Sequence, residues 1–100
     1  MAEIQIRFSP EMAYAAIAGH KCCTSRREMK GDPGDEFDIG GIRFRLLDVL
    51  TMPVRDITEK LYRLEGFKSH FTCSQTLHYL YPGMSGSDSL WVHFFARCLE

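Results

Sequence analysis

Apolar and polar residues alternate along several short segments of the chain, and other segments show helical spacing. The alternation over residues 2–8 predicts a strand, whereas Ile57, Leu61 and Leu64 at i, i+4 and i+7 predict a helix. The chain as a whole predicts the order β-α-β-β-β-α-α-β. The corresponding segments are residues 2–8, 10–18, 20–27, 36–39, 42–51, 56–65, 69–81 and 90–98.

Residues at the ends of these predicted elements are typical of helix ends and hairpin turns. Ser9 followed by Pro10 is typical of a helix start, and Gly19 is typical of a helix end. Gly40-Gly41 between two alternating segments predicts a two-residue hairpin. Hairpins with helices inserted at two places predict an α+β fold, and strands this short favour closure into a small barrel.

Length and composition predict one globular domain over residues 1–100. The chain has 100 residues, of which 45% are hydrophobic and 25% charged. No apolar run approaches the roughly 20 residues that span a bilayer, and residues 1–8 do not resemble a secretory signal. We therefore expect a cytoplasmic protein without a membrane contact. The closing Leu99-Glu100 pair is compatible with a cloning scar and receives no functional weight.

Charge decides little about function. The net charge is −1, which gives no broad electrostatic footprint for nucleic acid or for an acidic lipid surface. One local basic run holds Lys21, Arg26, Arg27 and Lys30, with Glu28 as its one anion. A solvated surface explains such a run at least as often as a binding face does.

The cysteines predict free thiols rather than a disulfide or a metal site. Cys22, Cys23, Cys73 and Cys98 contain no C-x-x-C spacing, and adjacent residues on a strand point to opposite faces. In a reducing compartment, small buried thiols are the expected state. We expect no bound zinc.

The most informative stretch lies where the first helix meets the next strand. It places Lys21, Thr24 and Arg26 close together in sequence. A lysine that leaves water has a lowered pKa and can accept a proton, and a neighbouring hydroxyl can then act as a nucleophile. Residues three apart on a regular strand face opposite sides, so Lys21 has to lie at a bend to meet Thr24. A solvated lysine beside a strand-forming threonine is the alternative.

Several short motifs, in order along nearly the whole chain, resemble the ASCH domain family of the PUA-like superfamily. They are Gly19-x-Lys21-x-x-Thr24-x-Arg26, Pro33-Gly34-Asp35, Glu65-Gly66-Phe67-x-Ser69, Tyr81-Pro82-Gly83 and Val92-His93-Phe94-Phe95. The resemblance implies a small PUA-like β-barrel of about five or six strands, with a short N-terminal helix and a helical pair between barrel strands. It is closest to the small bacterial enzymes that hydrolyse N4-acetylcytidine to cytidine and acetate.

In those enzymes a lysine accepts a proton, a threonine is the nucleophile and a glutamate donates a proton. The resemblance transfers these roles to Lys21, Thr24 and Glu65, the last as the end of the first helix of the pair. Two departures are visible, because Cys22 stands where a second hydroxyl is common, and Gly66 follows the glutamate as in the general ASCH pattern. Both departures bear on which substrate the resemblance implies, and the roles that it implies for Lys21, Thr24 and Glu65 are compatible with both.

The resemblance leaves two functions open. An amidohydrolase of an N-acylated nucleoside would use Arg26 to hold substrate or developing charge, and Tyr81 or Trp91 to stack on the base, with no metal or organic cofactor. A non-catalytic RNA-binding module would instead place the basic run against phosphates. The expected partner is a modified nucleoside or RNA, without DNA or membrane, and we expect a monomer.

Overall fold

The computed structural model describes residues 2–99, which form an α+β fold of three helices and four strands. The α+β prediction is thereby confirmed. The elements in chain order are α1 (Pro10–Ile17), β1 (Cys23–Arg26), β2 (Glu36–Ile39), β3 (Ile42–Pro53), α2 (Val54–Lys60), α3 (His70–Leu80) and β4 (Ser89–Arg97).

The four strands make one antiparallel sheet in the order β1-β4-β3-β2. The predicted hairpin turn at Gly40-Gly41 joins β2 to β3, and both glycines have the positive φ that such a turn requires. A bulge between Leu46 and Asp48 shifts the register of β3 against β4 and bends the sheet. The result is a curled half-barrel in which β1 is an edge strand.

Two apolar clusters pack on the two faces of this sheet. The first contains Ile6, Ala16, Phe37, Ile39, Phe44, Leu46 and Phe95, and α1 and the N-terminal segment cover it. The second contains Cys23, Val54, Ile57, Cys73, Leu77, Leu90 and Val92, beneath α2 and α3. Strand β4 contributes to both clusters, because successive side chains of a strand point to opposite faces. The two faces of the sheet at the edge strand β1 are therefore covered by different elements, α1 and the N-terminal segment on one face and α2 and α3 on the other.

Helix α1 ends shortly before Lys21, the first of the candidate site residues. Ser9 caps its start, with Oγ accepting the Met12 N–H at 3.3 Å. Gly19 follows the helix with φ +87°, which reverses the chain. The backbone N–H of Lys21 then donates to the Ala15 carbonyl at 3.1 Å. This helix end fixes the position of Lys21 before β1 starts.

The number of strands differs from the prediction. Residues 2–8 form a single parallel bridge, Glu3 to Glu36, instead of a fifth strand. The Ile4 N–H donates to the Glu36 carbonyl at 2.9 Å and the Glu36 N–H to the Ala2 carbonyl at 2.8 Å. Beyond that point Ile6 and Phe8 pack against the first cluster. The alternation of apolar and polar residues over 2–8 therefore reflects the burial of Ile6 and Phe8 and not the pairing of this segment with a neighbouring strand.

The helix before Glu65 is also shorter and earlier than predicted. It begins at Val54, directly after Pro53, whose fixed φ suits the residue before a helix, and it ends at Lys60. Residues 61–66 then form turns, because the Leu64 carbonyl accepts the N–H groups of Cys22 at 2.7 Å and Cys23 at 3.1 Å. Glu65 therefore lies in this turn segment and not at the end of the helix. None of the helices within residues 2–99 has the length and hydropathy that crossing a membrane requires.

Candidate functional site

A cleft of about 780 Å³ opens along the free edge of β1, between the N-terminal segment and the turns that follow α2. Its volume is in the range of small-molecule binding sites. The side chains predicted to act together, Lys21, Thr24 and Glu65, all line it. Further lining residues include Phe8, Ser25, Arg26, Phe67, Lys68, Tyr79 and Tyr81.

Lys21 lies at the inner end of the cleft with only 4% of its surface exposed. Its Nζ donates to the backbone carbonyl of Glu65 at 2.7 Å and lies 3.5 Å from Oε1 of the same residue. The ring of Phe8 is 5.9 Å from Nζ. Burial lowers the pKa of Lys21 below its ordinary value, and the charge of Glu65 opposes that shift. Lys21 is therefore a desolvated amine rather than a solvated surface cation.

Glu65 is 3% exposed and reaches the cleft from the turn after α2. Its Oε2 accepts a hydrogen bond from the hydroxyl of Ser25 and lies 3.8 Å from the thiol sulfur of Cys23. Burial and the carboxylate of Glu65 raise the pKa of the Cys23 thiol, so that this group stays protonated. The carboxylate is thus enclosed by an amine, a hydroxyl and a neutral thiol.

Thr24 and Arg26 share one face of β1, opposite to the face of Cys23 and Ser25. The Nε of Arg26 donates to Thr24 Oγ1 at 3.1 Å, and its guanidinium also donates to the Arg7 carbonyl at 2.7 Å. Within residues 2–99 no hydrogen bond joins the Thr24 hydroxyl to Lys21 or to Glu65. Arg26 therefore orients the Thr24 hydroxyl, and both residues form the cleft wall next to Phe8, whose ring is 5.3 Å from the guanidinium carbon.

The two predicted stacking residues occupy different places. Tyr81 lines the cleft, but its hydroxyl donates to the Ser25 carbonyl at 3.1 Å, and the Arg27 guanidinium carbon lies 5.3 Å from the centre of its ring. Trp91 is not among the residues that line the cleft. It is half-buried on β4, where it pairs with Arg26 of β1 and Thr51 of β3. Tyr81 thus belongs to this site, and the structure gives Trp91 no part in it.

Several residues of the cleft were not predicted from the sequence. Ser25 is the most important, because it bonds directly to Glu65. Phe8, Phe67 and Tyr79 add aromatic surface, and Tyr79 is 83% exposed. Ser25 lies between Thr24 and Arg26 on β1, so its side chain points to the opposite face of the strand. The alternation in the sequence did not indicate that side chains from both faces of β1 line the same cleft.

His93 is fully buried and serves the sheet rather than the cleft. Its Nε2 accepts the Lys30 backbone N–H at 2.9 Å, so its Nδ1 carries the proton and donates to the Thr24 carbonyl at 3.2 Å. Burial lowers the pKa of His93, which keeps the ring neutral. His93 therefore fixes the backbone beneath Thr24.

Within the described part of the chain, no three His, Cys, Asp or Glu side chains are grouped so that they could hold a metal ion. All four cysteines are unpaired there, with Cys23 and Cys73 buried and Cys22 and Cys98 half-buried. The cleft offers a desolvated amine beside a carboxylate, a hydroxyl held by an arginine, and aromatic walls. This arrangement can bind a planar ring and move a proton between two buried groups.

No protein-family model matches the sequence, and no curated protein matches it. Solved structures do share the fold. The crystal structure of "hypothetical protein PH0355" superposes with a TM-score of 0.72 at 15% identity, covering 97% of this chain and 96% of the other. The solution structure of protein PF0455 from Pyrococcus furiosus gives 0.66 at 17% identity, covering 99% and 96%.

The crystal structure of an ASCH domain from Lactobacillus crispatus JV V101 gives a TM-score of 0.68. Its sequence is 12% identical to this chain, and the match covers 96% of this chain and 79% of that one. An identity this low carries information about the fold and leaves the activity open. The chain has the fold of an ASCH domain.

Proposed function

We propose that this protein is an amidohydrolase that removes the acetyl group from N4-acetylcytidine or a related N-acylated nucleoside. The observation that carries the proposal is the buried contact between Lys21 and Glu65 at the inner end of a cleft that Thr24 also lines. Acid–base chemistry at an amide needs a proton acceptor and a proton donor next to a nucleophile. Lys21 and Glu65 are in contact although Glu65 is remote in sequence, and Thr24 lines the same cleft.

Thr24 is proposed to attack the acetyl carbonyl carbon. The Oγ1–carbon bond forms while the hydroxyl proton passes to the Lys21–Glu65 pair, directly or through one water. In the reactive form a neutral Lys21 amine lies beside the Glu65 carboxylate, so the pair gains one proton in the attack, and this proton passes from the amine to the carboxylate. One proton then moves from Glu65 to N4 as the carbon–nitrogen bond breaks and cytidine leaves. Water then attacks the ester carbon, one of its protons returns through the Lys21–Glu65 pair to Thr24 Oγ1 as the ester bond breaks, and acetate leaves while the second proton passes to solvent.

Two further properties of the cleft support a nucleoside substrate. Phe67, Tyr79 and Tyr81 supply aromatic surface to the wall of the cleft, which suits stacking on a base. Arg26 holds Thr24 Oγ1, so its guanidinium lies beside the carbonyl that Thr24 would attack and can stabilise the developing negative charge. These steps use no metal and no organic cofactor.

The contacts of the basic run argue against a purely RNA-binding role. That role assigns Lys21 and Arg26 to phosphate contacts, but Lys21 is buried against Glu65, and Arg26 donates to Thr24 and to the Arg7 carbonyl. The guanidinium of Arg27 lies over the ring of Tyr81. Phosphate binding would require these contacts to be given up, which lowers the affinity such a run can provide.

Chromatographic detection of cytidine after incubation with N4-acetylcytidine tests the proposal. We expect turnover by the wild-type protein and loss of at least 10²-fold in Thr24→Val, which keeps the shape of the side chain and removes the nucleophile. Thr58→Val is the matched control, because Thr58 is buried in α2, outside the cleft, and its hydroxyl donates only to the Arg55 carbonyl at 3.0 Å. Equal turnover by Thr24→Val and Thr58→Val contradicts the assigned nucleophile.

A further inference from the structure

We infer that Ser25 is a positioning residue that fixes the carboxylate of Glu65 in the cleft. The inference rests on the proposed function, because it assigns a role to Ser25 in the same reaction. Ser25 does not touch the reacting atoms in this role. It acts through Glu65, to which its hydroxyl donates a hydrogen bond.

The contacts of Glu65 show why Lys21 alone does not fix the carboxylate. The short contact of Lys21 Nζ, 2.7 Å, is to the backbone carbonyl of Glu65, and Oε1 is more distant at 3.5 Å. The Cys23 thiol is 3.8 Å from Oε2 and is a weak donor. Among the described residues, Ser25 therefore provides the one close hydrogen bond to the carboxylate group itself.

Ser25 is itself held from two sides. It pairs with Val92 in the sheet, and its carbonyl accepts the Tyr81 hydroxyl at 3.1 Å. Only 4% of its surface is exposed. A serine hydroxyl on a fixed backbone has few alternative directions, so it can define the direction of the carboxylate that it contacts.

The order of contacts, Tyr81 to Ser25 to Glu65, links the end of α3 to the turn after α2 through the edge strand. Loss of the Ser25 hydroxyl would leave Oε2 with the Cys23 thiol as its remaining neighbour in that direction. A buried carboxylate that loses a donor rotates to find another, and the nearest amine is Lys21. That rotation would move the proton donor away from the leaving nitrogen.

The kinetic test compares Ser25→Ala, Ser25→Thr and the control Thr58→Val. We expect Ser25→Ala to lose kcat by on the order of 10²-fold with KM within about twofold, because a misplaced proton donor affects the transition state and not substrate binding. Ser25→Thr keeps a hydroxyl and should restore kcat to within about fivefold of wild type. Thr58→Val also loses one buried hydroxyl and should retain the wild-type kcat.

A stability test is independent of activity. Unfolding midpoints of Ser25→Ala, Glu65→Met and the double variant form a double-mutant cycle, because methionine has a similar length and no oxygen to accept the Ser25 hydroxyl. We expect the double variant to lose clearly less stability than the two single losses added together, because the first substitution already removes the shared contact. Additive losses overturn the inference, since they show that Ser25 and Glu65 do not interact.

The outcomes separate the two proposals. Wild-type turnover together with a coupled cycle and a Ser25→Ala kcat within threefold of wild type overturns the inference, because the contact is then only structural. A wild-type protein that does not hydrolyse N4-acetylcytidine contradicts the proposed function. In that case the cycle alone decides whether Ser25 holds Glu65.

Discussion

Lys21 and Glu65 lie 44 positions apart in sequence and meet in the interior, where Lys21 Nζ donates to the Glu65 carbonyl at 2.7 Å. The carboxylate of the same residue is 3.5 Å from Nζ. Lys21 therefore contacts Glu65 through backbone and side chain together. This double contact attaches the start of β1 to the turn after α2, and it places a desolvated amine beside the cleft.

Replacement of Lys21 should affect both stability and turnover. Lys21→Met removes one partner of a buried pair, and we expect a loss of about 3 kcal/mol in the free energy of unfolding. Turnover of N4-acetylcytidine should fall by at least 10²-fold with the proton acceptor gone. Urea unfolding and product chromatography measure the two effects. Lys60→Met is the control, because Lys60 is exposed and lies 3.9 Å from Asp56, a pair worth little. Similar effects of the two substitutions would refute the buried role of Lys21.

The pH dependence of turnover should follow the lowered pKa of Lys21. The fraction of neutral amine rises as the pH passes through the pKa in the folded protein, which burial places below the ordinary value of 10.5. We therefore expect kcat/KM to rise with pH and to level off below pH 10.5. A rate that still rises in proportion to hydroxide above that value would show that Lys21 is not the acceptor.

The same pKa shift should affect stability with a defined sign. Between the folded pKa and 10.5, the unfolded chain binds more protons at Lys21 than the folded chain does. Protonated Lys21 therefore lowers the free energy of unfolding at pH values below that window, and this penalty decreases as pH rises through it. Urea unfolding of the wild type and of Lys21→Met across this range isolates the effect, and parallel curves would contradict it.

Local signals predicted most of the fold. Ser9, Gly19 and Gly40-Gly41 act on backbone groups a few residues away, and the structure has the helix start, the helix end and the hairpin there. The strand predicted over residues 2–8 did not form, because a strand needs a pairing partner elsewhere in the chain, and within residues 2–99 only Glu36 forms a bridge with this segment. The helix predicted to end at Glu65 ends at Lys60 for a similar reason, since the Leu64 carbonyl accepts the backbone N–H groups of Cys22 and Cys23 from a distant segment.

The site could be predicted only in part. Lys21, Thr24 and Arg26 are neighbours in sequence, so a single helix end and a short strand place them along one cleft. The position of Glu65 came from the family resemblance and not from periodicity. Ser25 escaped prediction, because its role depends on β1 being an edge strand whose two faces both border the cleft. That property belongs to the complete sheet and is invisible in the local pattern.

The four thiols should react in two groups. Cys23 and Cys73 are buried, and burial raises the pKa of Cys73 to about 12, whereas Cys22 and Cys98 are half-buried. With a thiol reagent at pH 8 we expect Cys22 and Cys98 to react first, and the other two to react only in denaturant. Cys22→Ser should remove one of the fast equivalents. Fast reaction of all four thiols in the native protein would contradict the packing of the second apolar cluster.

Gly66 provides a test of how closely the backbone must approach Lys21. Its φ is +100°, and a Cβ there would lie 3.2 Å from Met12 Sδ and 3.4 Å from Lys21 Cβ. Gly83 has a comparable φ of +84° with no atom within 4 Å of such a Cβ. Both Gly→Ala substitutions therefore share the backbone strain of about 1–2 kcal/mol, and only the first adds a contact with the site.

We expect Gly66→Ala to lose about 1 kcal/mol more than Gly83→Ala in urea unfolding, because Met12 Sδ has to shift to admit the added methyl group and the buried Lys21 is in contact with it as well. Repacking beside Lys21 should also reduce kcat for N4-acetylcytidine by about tenfold or more, whereas Gly83→Ala should keep the wild-type kcat. The difference between the variants separates site geometry from backbone strain, since the strain is common to both. Equal stabilities and equal kcat values would mean that Lys21 accommodates the added methyl group without leaving Glu65.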